Sequence, residues 1–133
     1  MHKPVVCDTH TLLHWALEPK RLSIKAKREI ERALIRGDVA CADISLWEIA
    51  MLNEHGRIKL QQGAQAFLDD LLLALKLNII PINTEIAALA QTACPGHHDP
   101  ADRLIAATAI YLDAPLVTRD EKLAVNKRIK IVW

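Results

Sequence analysis

Short apolar runs alternate along this chain with longer segments of helical periodicity, and this alternation most constrains the fold. Four runs have the length of buried strands, at residues 4–7, 39–42, 79–82 and 115–118, and a last apolar run lies at 129–133. Helical segments lie between them, at residues 9–17, 24–35, 46–55, 60–77, 85–93 and 100–112. Strands joined through helices form a mostly parallel sheet that is covered on both faces. We therefore predict an α/β fold with a central, mostly parallel sheet.

The size and composition of the chain fit one compact domain. It has 133 residues, of which 51% are apolar and 25% are charged. A chain of this length can bury about two-thirds of its unfolded surface. No internal repeat or linker interrupts it, so we predict a single domain over residues 1–133.

The charge of the chain is balanced. A formal net charge of +1 excludes an overall basic field, so any contact with nucleic acid must depend on local patches. The predicted helix at 24–35 offers one patch, because it is expected to turn Ile30, Leu34 and Ile35 inward and five cations outward: Lys25, Lys27, Arg28, Arg32 and Arg36. Those cations form either a face for nucleic acid or an acidic partner, or an ordinary solvated surface.

The cysteines and the apolar segments indicate a cytoplasmic, soluble protein. Cys7, Cys41 and Cys94 are odd in number and lack C-x-x-C spacing, which argues against a disulfide framework or a thiolate zinc site. The N-terminal residues lack a signal-peptide pattern, and the most apolar segment, at 67–82, is interrupted by charges. We therefore expect no contact with a membrane.

Acidic residues collect at one predicted edge of the sheet. Asp8 and Asp120 follow predicted strands, while Glu48, Asp99 and Asp102 stand near the starts of helices that open on the same edge. In parallel sheets, ligands bind outside the carboxyl ends of the strands. All five carboxylates are therefore expected to converge there.

Helix capping offers a competing interpretation of three of these acids. Asp99 before Pro100 is a natural N-cap, and Asp102 in the first turn suits the positive end of the helix dipole. Ser45 followed by Glu48 has the spacing of a capping box. Each acid could therefore stabilise a helix, and the sequence leaves this alternative open.

A converging group of carboxylates would favour a divalent cation. Carboxylates within a few ångströms repel one another, and burial raises their pKa values. Hard oxygen ligands select Mg²⁺ or Mn²⁺, which can activate water and stabilise the leaving oxygen of a phosphodiester. Hydrolysis of a nucleic-acid backbone is therefore the predicted chemistry, at a site made of carboxylates alone.

Histidines offer competing sites. Asp8, His10 and His14 could begin a zinc or di-metal phosphoesterase motif, but the later elements of such enzymes are missing. His97 and His98 are interpreted either as loop residues near the metal or as solvated residues. The H-E-x-x-H, G-x-S-x-G, P-loop and G-x-G-x-x-G motifs are absent.

Five motifs occur in order along the chain: D-T-H at 8–10, S-L-W-E-I-A at 45–50, G-R-I at 56–58, D-P-A-D-R-L-I-A-A-T-A at 99–109 and L-V-T-R-D at 116–120. With them, the chain resembles PIN-domain proteins of the VapC toxin type over essentially its whole length. The resemblance implies a three-layer α/β/α sandwich and a Mg²⁺- or Mn²⁺-dependent endoribonuclease.

The resemblance also implies which residues form the site. It carries a catalytic acidic quartet onto Asp8, Glu48, Asp102 and Asp120, with Asp8 and Asp102 as the most direct metal ligands. Asp120 is a further expected ligand, as is Asp99, which matches a residue of the subgroup with the H-H-D-P form. Thr118 matches a Ser/Thr position that helps to order the site, and Thr9 is expected to support it. One departure is residues 122–130, which lack the aromatic residue expected after T-R-D.

The resemblance implies partners as well. They are an RNA substrate and a VapB-like antitoxin that occupies and inhibits the site. A homodimer is expected from the resemblance and from the apolar helices around Trp15, Trp47 and residues 60–77. The alternative function is a catalytically silent PIN module that binds RNA or a partner protein.

Overall fold

The computed structural model describes residues 3–133, with every side chain in that range except that of residue 125. Residues 1 and 2 of the predicted domain therefore lie outside the described residues. Five strands form the sheet: β1 (Val5–Cys7), β2 (Val39–Ala42), β3 (Asn78–Ile80), β4 (Leu116–Val117) and β5 (Ile131–Val132). Six helices connect them: α1 (Thr9–Leu17), α2 (Ile24–Arg36), α3 (Ile44–Glu54), α4 (Ala64–Leu75), α5 (Thr84–Leu89) and α6 (Pro100–Leu112). Two 3₁₀ segments follow α1 and β4, at Pro19–Arg21 and Glu121–Val125.

The strands lie in the order β3-β2-β1-β4-β5, and every neighbouring pair is parallel. Along the chain, β2 and β3 are added to one side of β1. The chain then crosses to the other side of β1, where it forms β4 and β5. The strand order therefore reverses beside β1, and this is where open parallel sheets form a ligand crevice. The predicted α/β fold with a parallel sheet is confirmed.

Side-chain alternation along β1 assigns its residues to two cores. Val5 and Cys7 face one core and Val6 faces the other, because successive side chains of a strand point to opposite faces. The first core is closed by residues of α1 to α4, including Leu12, Ile30, Ile49 and Leu71. The second is closed by residues of α5 and α6, including Ile86, Ile105 and Ala106. Helices cover both faces, which gives the three layers.

Local capping fixes the starts of the helices nearest the site. The Asp8 side chain accepts a hydrogen bond from the Thr11 amide at 2.8 Å and caps α1. Asp99 accepts from the Ala101 amide at 2.9 Å and caps α6, with Pro100 at the first helical position. Helix α2 ends as expected at Gly37, whose φ of 74° lies in the left-handed region.

Some predicted boundaries are wrong for identifiable reasons. Helix α4 begins at Ala64 because Gly63, with φ of 88°, breaks the path from Leu60. Helix α5 begins one residue after its cap, Asn83, and ends at Leu89. Ile35 was expected to face inward but is 87% exposed, since the stripe of α2 that faces the core is Ala26, Ile30 and Ala33.

The structure bears on the predictions for the cysteines and for contact with a membrane. Within the described residues, Cys7, Cys41 and Cys94 are all buried free thiols, and burial raises the pKa of each. Among the same residues, no helix has the length and apolar character needed to cross a membrane.

Candidate metal centre

The ends of β1 and β4 bring Asp8, which follows β1, close to Thr118 and Asp120, which follow β4. The Asp8 amide donates to the Val117 carbonyl at 3.2 Å, and the Thr11 hydroxyl donates to the same carbonyl at 2.9 Å. Asp8 therefore stands directly beside Thr118. The Thr118 hydroxyl donates to Oδ2 of Asp8 and accepts from the Asp120 amide at 3.0 Å. One fully buried threonine thus fixes two of the predicted acids.

A second network fixes Glu48. The Thr9 hydroxyl contacts both Oε1 of Glu48 and the Ser45 hydroxyl, the latter at 3.0 Å. Ser45 and Glu48 both lie on α3, which packs against α1. Burial raises the pKa of Glu48, the Thr9 hydrogen bond opposes that rise, and Asp99 adds to it. Thr9 therefore connects Glu48 with Asp8, its neighbour in sequence.

The capping box predicted at Ser45 and Glu48 is wrong. Helix α3 begins at Ile44, two residues before the predicted start at residue 46, so Ser45 lies inside its first turn. Asp43 stands at the cap position, but its side chain accepts from the Ile82 amide at 3.1 Å instead. Tertiary hydrogen bonds from Thr9 take the place of the local capping pattern.

Asp102, Asp120 and His97 form the tightest group of potential metal ligands. His97 Nε2 lies 3.2 Å from Oδ2 of Asp102 and 3.2 Å from Oδ2 of Asp120. One ligand atom from each residue lies within 4.8 Å of the other two. Burial, followed by the charge of Asp99, raises the pKa of Asp102 from 3.8 to about 6, while His97 opposes that rise. The carboxylates are thus close enough to share a cation.

Asp99 occupies a different position from the other predicted ligands. It caps α6 and is exposed, yet its charge contributes to the raised pKa values of both Asp102 and Glu48. It lines a neighbouring apolar cleft of about 560 Å³ rather than the acidic cavity. That cleft lies between the starts of α3 and α6 and is also lined by Glu48, Ile44, Trp47, Met51, Pro100 and Ala101.

The acidic cavity has a volume of about 370 Å³ and combines acids with cations. Asp8, Asp102 and Asp120 line it together with Arg21, Arg119, His10 and His14. The carboxylates can attract a metal ion, while the two guanidinium groups can pair with phosphate oxygens. Such a cavity suits a phosphodiester bound across a cation.

The donor set of this cavity fits a divalent cation. Carboxylate oxygens are hard ligands, and burial, followed by the charge of Asp99, raises the pKa of Asp102, so its ionised form would be stabilised by a cation. Oxygens of Asp8 that already accept hydrogen bonds keep a second lone pair for an ion. Among the described residues, Asp8, His10 and His14 form no group of ligand atoms within 4.8 Å of one another, and the predicted acids Asp8, Glu48 and Asp99 do not join the group of His97, Asp102 and Asp120.

Sequence reasoning assigned no role to Arg21 and Arg119, and it left open whether His97 is a loop residue near the metal or a solvated residue. The side chain of His97 is only 11% exposed and contacts Asp102 and Asp120. His98, beside it, is exposed. Arg21 and Arg119 line the cavity. The position of Arg119 between Thr118 and Asp120 was a usable signal, whereas Arg21 gave none because a 3₁₀ segment brings it there.

Comparisons with known proteins identify similar chains. Ribonuclease VapC22 of Mycobacterium tuberculosis is 39% identical over 134 residues, which cover 97% of this chain and 98% of that protein. The crystal structure of VapBC2 from Rickettsia felis bound to a DNA fragment from their promoter contains a chain with TM-score 0.72, 20% identity and 96% coverage of both chains. A toxin-antitoxin complex from Klebsiella pneumoniae gives TM-score 0.59 at 23% identity, covering 89% of this chain and 88% of that one.

These solved structures support the fold, and the curated relative supports the family. The profile of the PIN domain family matches residues 5–129, which span all the predicted site residues. The chain therefore belongs to the PIN domain family.

Proposed function

We propose that this chain is a VapC-type endoribonuclease that hydrolyses RNA phosphodiester bonds with a divalent cation. The observation that carries the proposal is the single cavity lined by Asp8, Asp102 and Asp120 together with Arg21 and Arg119. The identity with a curated VapC ribonuclease, over almost the full length of both chains, supports it. The family profile matches residues 5–129, which supports the proposal of a single domain over residues 1–133.

Asp102 and Asp120, with Asp8 beside them, would hold Mg²⁺ or Mn²⁺. A bound divalent cation lowers the pKa of water and offsets charge on the phosphate. Thr118 orients the carboxylate of Asp8 and the backbone of Asp120, so the ligands keep their positions before any ion arrives. In this proposal Asp99 acts chiefly as a helix cap that adds negative charge beside Asp102.

Glu48 would take part in the reaction with its carboxylate held by the Thr9 hydroxyl. Burial raises the pKa of Glu48 above that of an ordinary glutamate, and a carboxyl group with a raised pKa suits general acid–base catalysis. Arg21 and Arg119 would contact the RNA backbone, because guanidinium groups bind phosphate oxygens in bidentate fashion. The exposed cations of α2 remain a second candidate surface for the same backbone.

We also propose a VapB-like antitoxin and a homodimer as partners. The solved relatives that share the fold include a toxin-antitoxin complex, which supports the first partner. Exposed apolar side chains support the second, since Trp47 is 59% exposed and Leu73 is 77% exposed. Light scattering of the purified chain tests the dimer, and a monomer at tens of micromolar would contradict it.

A cleavage assay tests the proposed activity. Purified chain is incubated with a structured RNA in EDTA, in Mg²⁺ and in Mn²⁺, and binding is measured in parallel by retention of the RNA. We expect internal cleavage only with a metal, and retention without cleavage for Asp102→Asn. Retention by the unmodified chain with no cleavage in any ion would instead identify a silent, RNA-binding PIN module.

A further inference from the structure

The ring of His97 takes the place that a third ligand would occupy in the proposed metal centre. Its Nε2 is equidistant, at 3.2 Å, from one oxygen of Asp102 and one oxygen of Asp120. We propose that His97 is a nitrogen ligand of this centre, and that it makes the centre select Mn²⁺ over Mg²⁺. This inference rests on the proposed metal-dependent function, and it replaces the carboxylate-only site expected from the sequence.

The three atoms have the spacing of neighbouring ligands on one ion. Ligands about 2.1 to 2.2 Å from an octahedral ion, at right angles to one another, lie about 3.0 to 3.1 Å apart. The two separations from Nε2 are both 3.2 Å, and all three atoms lie within 4.8 Å of one another. An ion placed between them therefore needs only small movements of the side chains.

The backbone holds His97 in place without any metal. Its amide donates to the Cys94 carbonyl at 3.0 Å, and its carbonyl accepts from Nη1 of Arg103 at 3.2 Å. Arg103 also donates to the carbonyls of Ala90, at 2.8 Å, and Gln91. A guanidinium group thus fastens the loop before α6 at three points. From this fixed loop the ring reaches Asp102 and Asp120, which line the cavity, so ligation requires little ordering.

Ligation through Nε2 requires the ring proton to lie on Nδ1. In the structure the Asp99 amide donates to Nδ1 at 3.4 Å, which is at the long limit of a hydrogen bond, so moving the proton to Nδ1 gives up this contact. Loss of so long a contact costs little. His98, which lies between His97 and Asp99 in the same loop, is exposed. In the opposing arrangement, the proton lies on Nε2 and is donated to both carboxylates. His97 would then compete with a metal ion, and its removal would strengthen metal binding.

An imidazole ligand changes which ion the centre prefers. Both Mg²⁺ and Mn²⁺ suit carboxylate oxygens, but Mg²⁺ keeps its waters and dehydrates reluctantly, whereas Mn²⁺ belongs to the first-row transition series and binds imidazole nitrogen more strongly than Mg²⁺ does. Removing His97 should therefore weaken Mn²⁺ binding much more than Mg²⁺ binding. His98 is an internal control, because it differs only in being exposed.

The test measures the bound ion directly rather than the reaction. Free Mn²⁺ is titrated by electron paramagnetic resonance against the full chain, His97→Ala and His98→Ala, and Mg²⁺ is measured by competition. We expect His97→Ala to weaken Mn²⁺ binding about tenfold or more, with Mg²⁺ binding changed by less than about threefold. His98→Ala should bind both ions as the unmodified chain does.

Electron spin-echo spectroscopy of bound Mn²⁺ in the unmodified chain should reveal coupling to an imidazole nitrogen. Because His10 and His14 also line the cavity, the coupling is assigned to His97 by its loss in His97→Gln and its persistence in His10→Gln and His14→Gln, which keeps the test decisive even if His97→Ala fails to fold. Mn²⁺ binding that is unchanged or stronger in His97→Ala, or a bound ion without nitrogen coupling, would overturn the role of His97. RNA cleavage with Mg²⁺ or Mn²⁺ could still stand in that case. Nitrogen coupling in a chain that cleaves no RNA would instead overturn the proposed function alone.

Discussion

Replacing Asp102 by asparagine should stabilise the metal-free protein. The pKa of Asp102 is raised from 3.8 to about 6, and its side chain is 25% exposed. Each pKa unit corresponds to about 1.4 kcal/mol, so the ionised carboxylate costs the folded state about 3 kcal/mol at neutral pH. Asparagine removes this cost but also removes a favourable charge from the first turn of α6, worth about 0.3 to 1 kcal/mol. The net gain is about 2 kcal/mol.

The gain should depend on pH in a defined direction. Because the folded-state pKa of Asp102 is above its ordinary value, the cost is absent when the carboxyl is protonated in both states. It grows between pH 3.8 and about pH 6 and is complete above that range. At pH 7.5 the melting temperature of Asp102→Asn should exceed that of the unmodified chain by roughly 7 °C. At pH 4 the difference in unfolding free energy should fall to about 0.5 kcal/mol.

Thermal and urea unfolding in EDTA at both pH values measures the effect. Asp69→Asn is the matched control, because Asp69 is an exposed acid on α4 and should change stability by less than about 0.5 kcal/mol. Lower stability of Asp102→Asn at pH 7.5, or a gain of equal size at pH 4, would refute the reasoning. Either result would mean that burial and the neighbouring carboxylates do not penalise the ionised form of Asp102 in the folded protein.

Three further substitutions separate structural from catalytic roles. Thr118→Val should lower the unfolding free energy by about 1 to 3 kcal/mol in urea titration, because it removes the hydrogen bonds of Thr118 to Oδ2 of Asp8 and from the Asp120 amide. An equal loss in Thr118→Ser would contradict this. Glu48→Gln should retain stability, since burial raises the pKa of Glu48, yet lose RNA cleavage; a loss of about 0.5 to 2 kcal/mol with activity kept would restore the capping interpretation. Arg103→Lys should increase amide hydrogen exchange in residues 90–99, because an ammonium group cannot reach all three carbonyls, and unchanged exchange there would disprove the anchoring role.

Much of the fold followed from local patterns. The runs around Val6, Ala40 and Leu116 are short and apolar, and no other arrangement buries both of their faces as a parallel sheet between helices does. Asp8 and Asp120 could be placed at one edge because strand ends in such a sheet coincide. The match of Asp99 and Pro100 to a helix start was equally local, and the structure agrees with it.

The parts that escaped prediction depend on contacts between distant residues. Ser45 and Glu48 satisfied a local capping rule, but hydrogen bonds from Thr9, 36 and 39 residues away, determine their use. His97 resembled a solvated loop residue until Asp120, 23 residues away, was placed beside it. Arg21 reaches the cavity only through the packing of the segment after α1. Single-sequence patterns carry no information about such pairs.

The hydrogen bond between Thr118 and Asp8 spans 110 residues of chain, and this separation bears on when activity can begin. A growing chain that carries β1 but not yet β4 has Asp8 without Thr118 and Asp120, so its proposed centre is incomplete. Translation at about 5 to 20 residues per second needs roughly 5 to 20 s to cover that distance. An RNA-cleaving enzyme built in this way stays inactive throughout most of its own synthesis, and this delay requires no inhibitor.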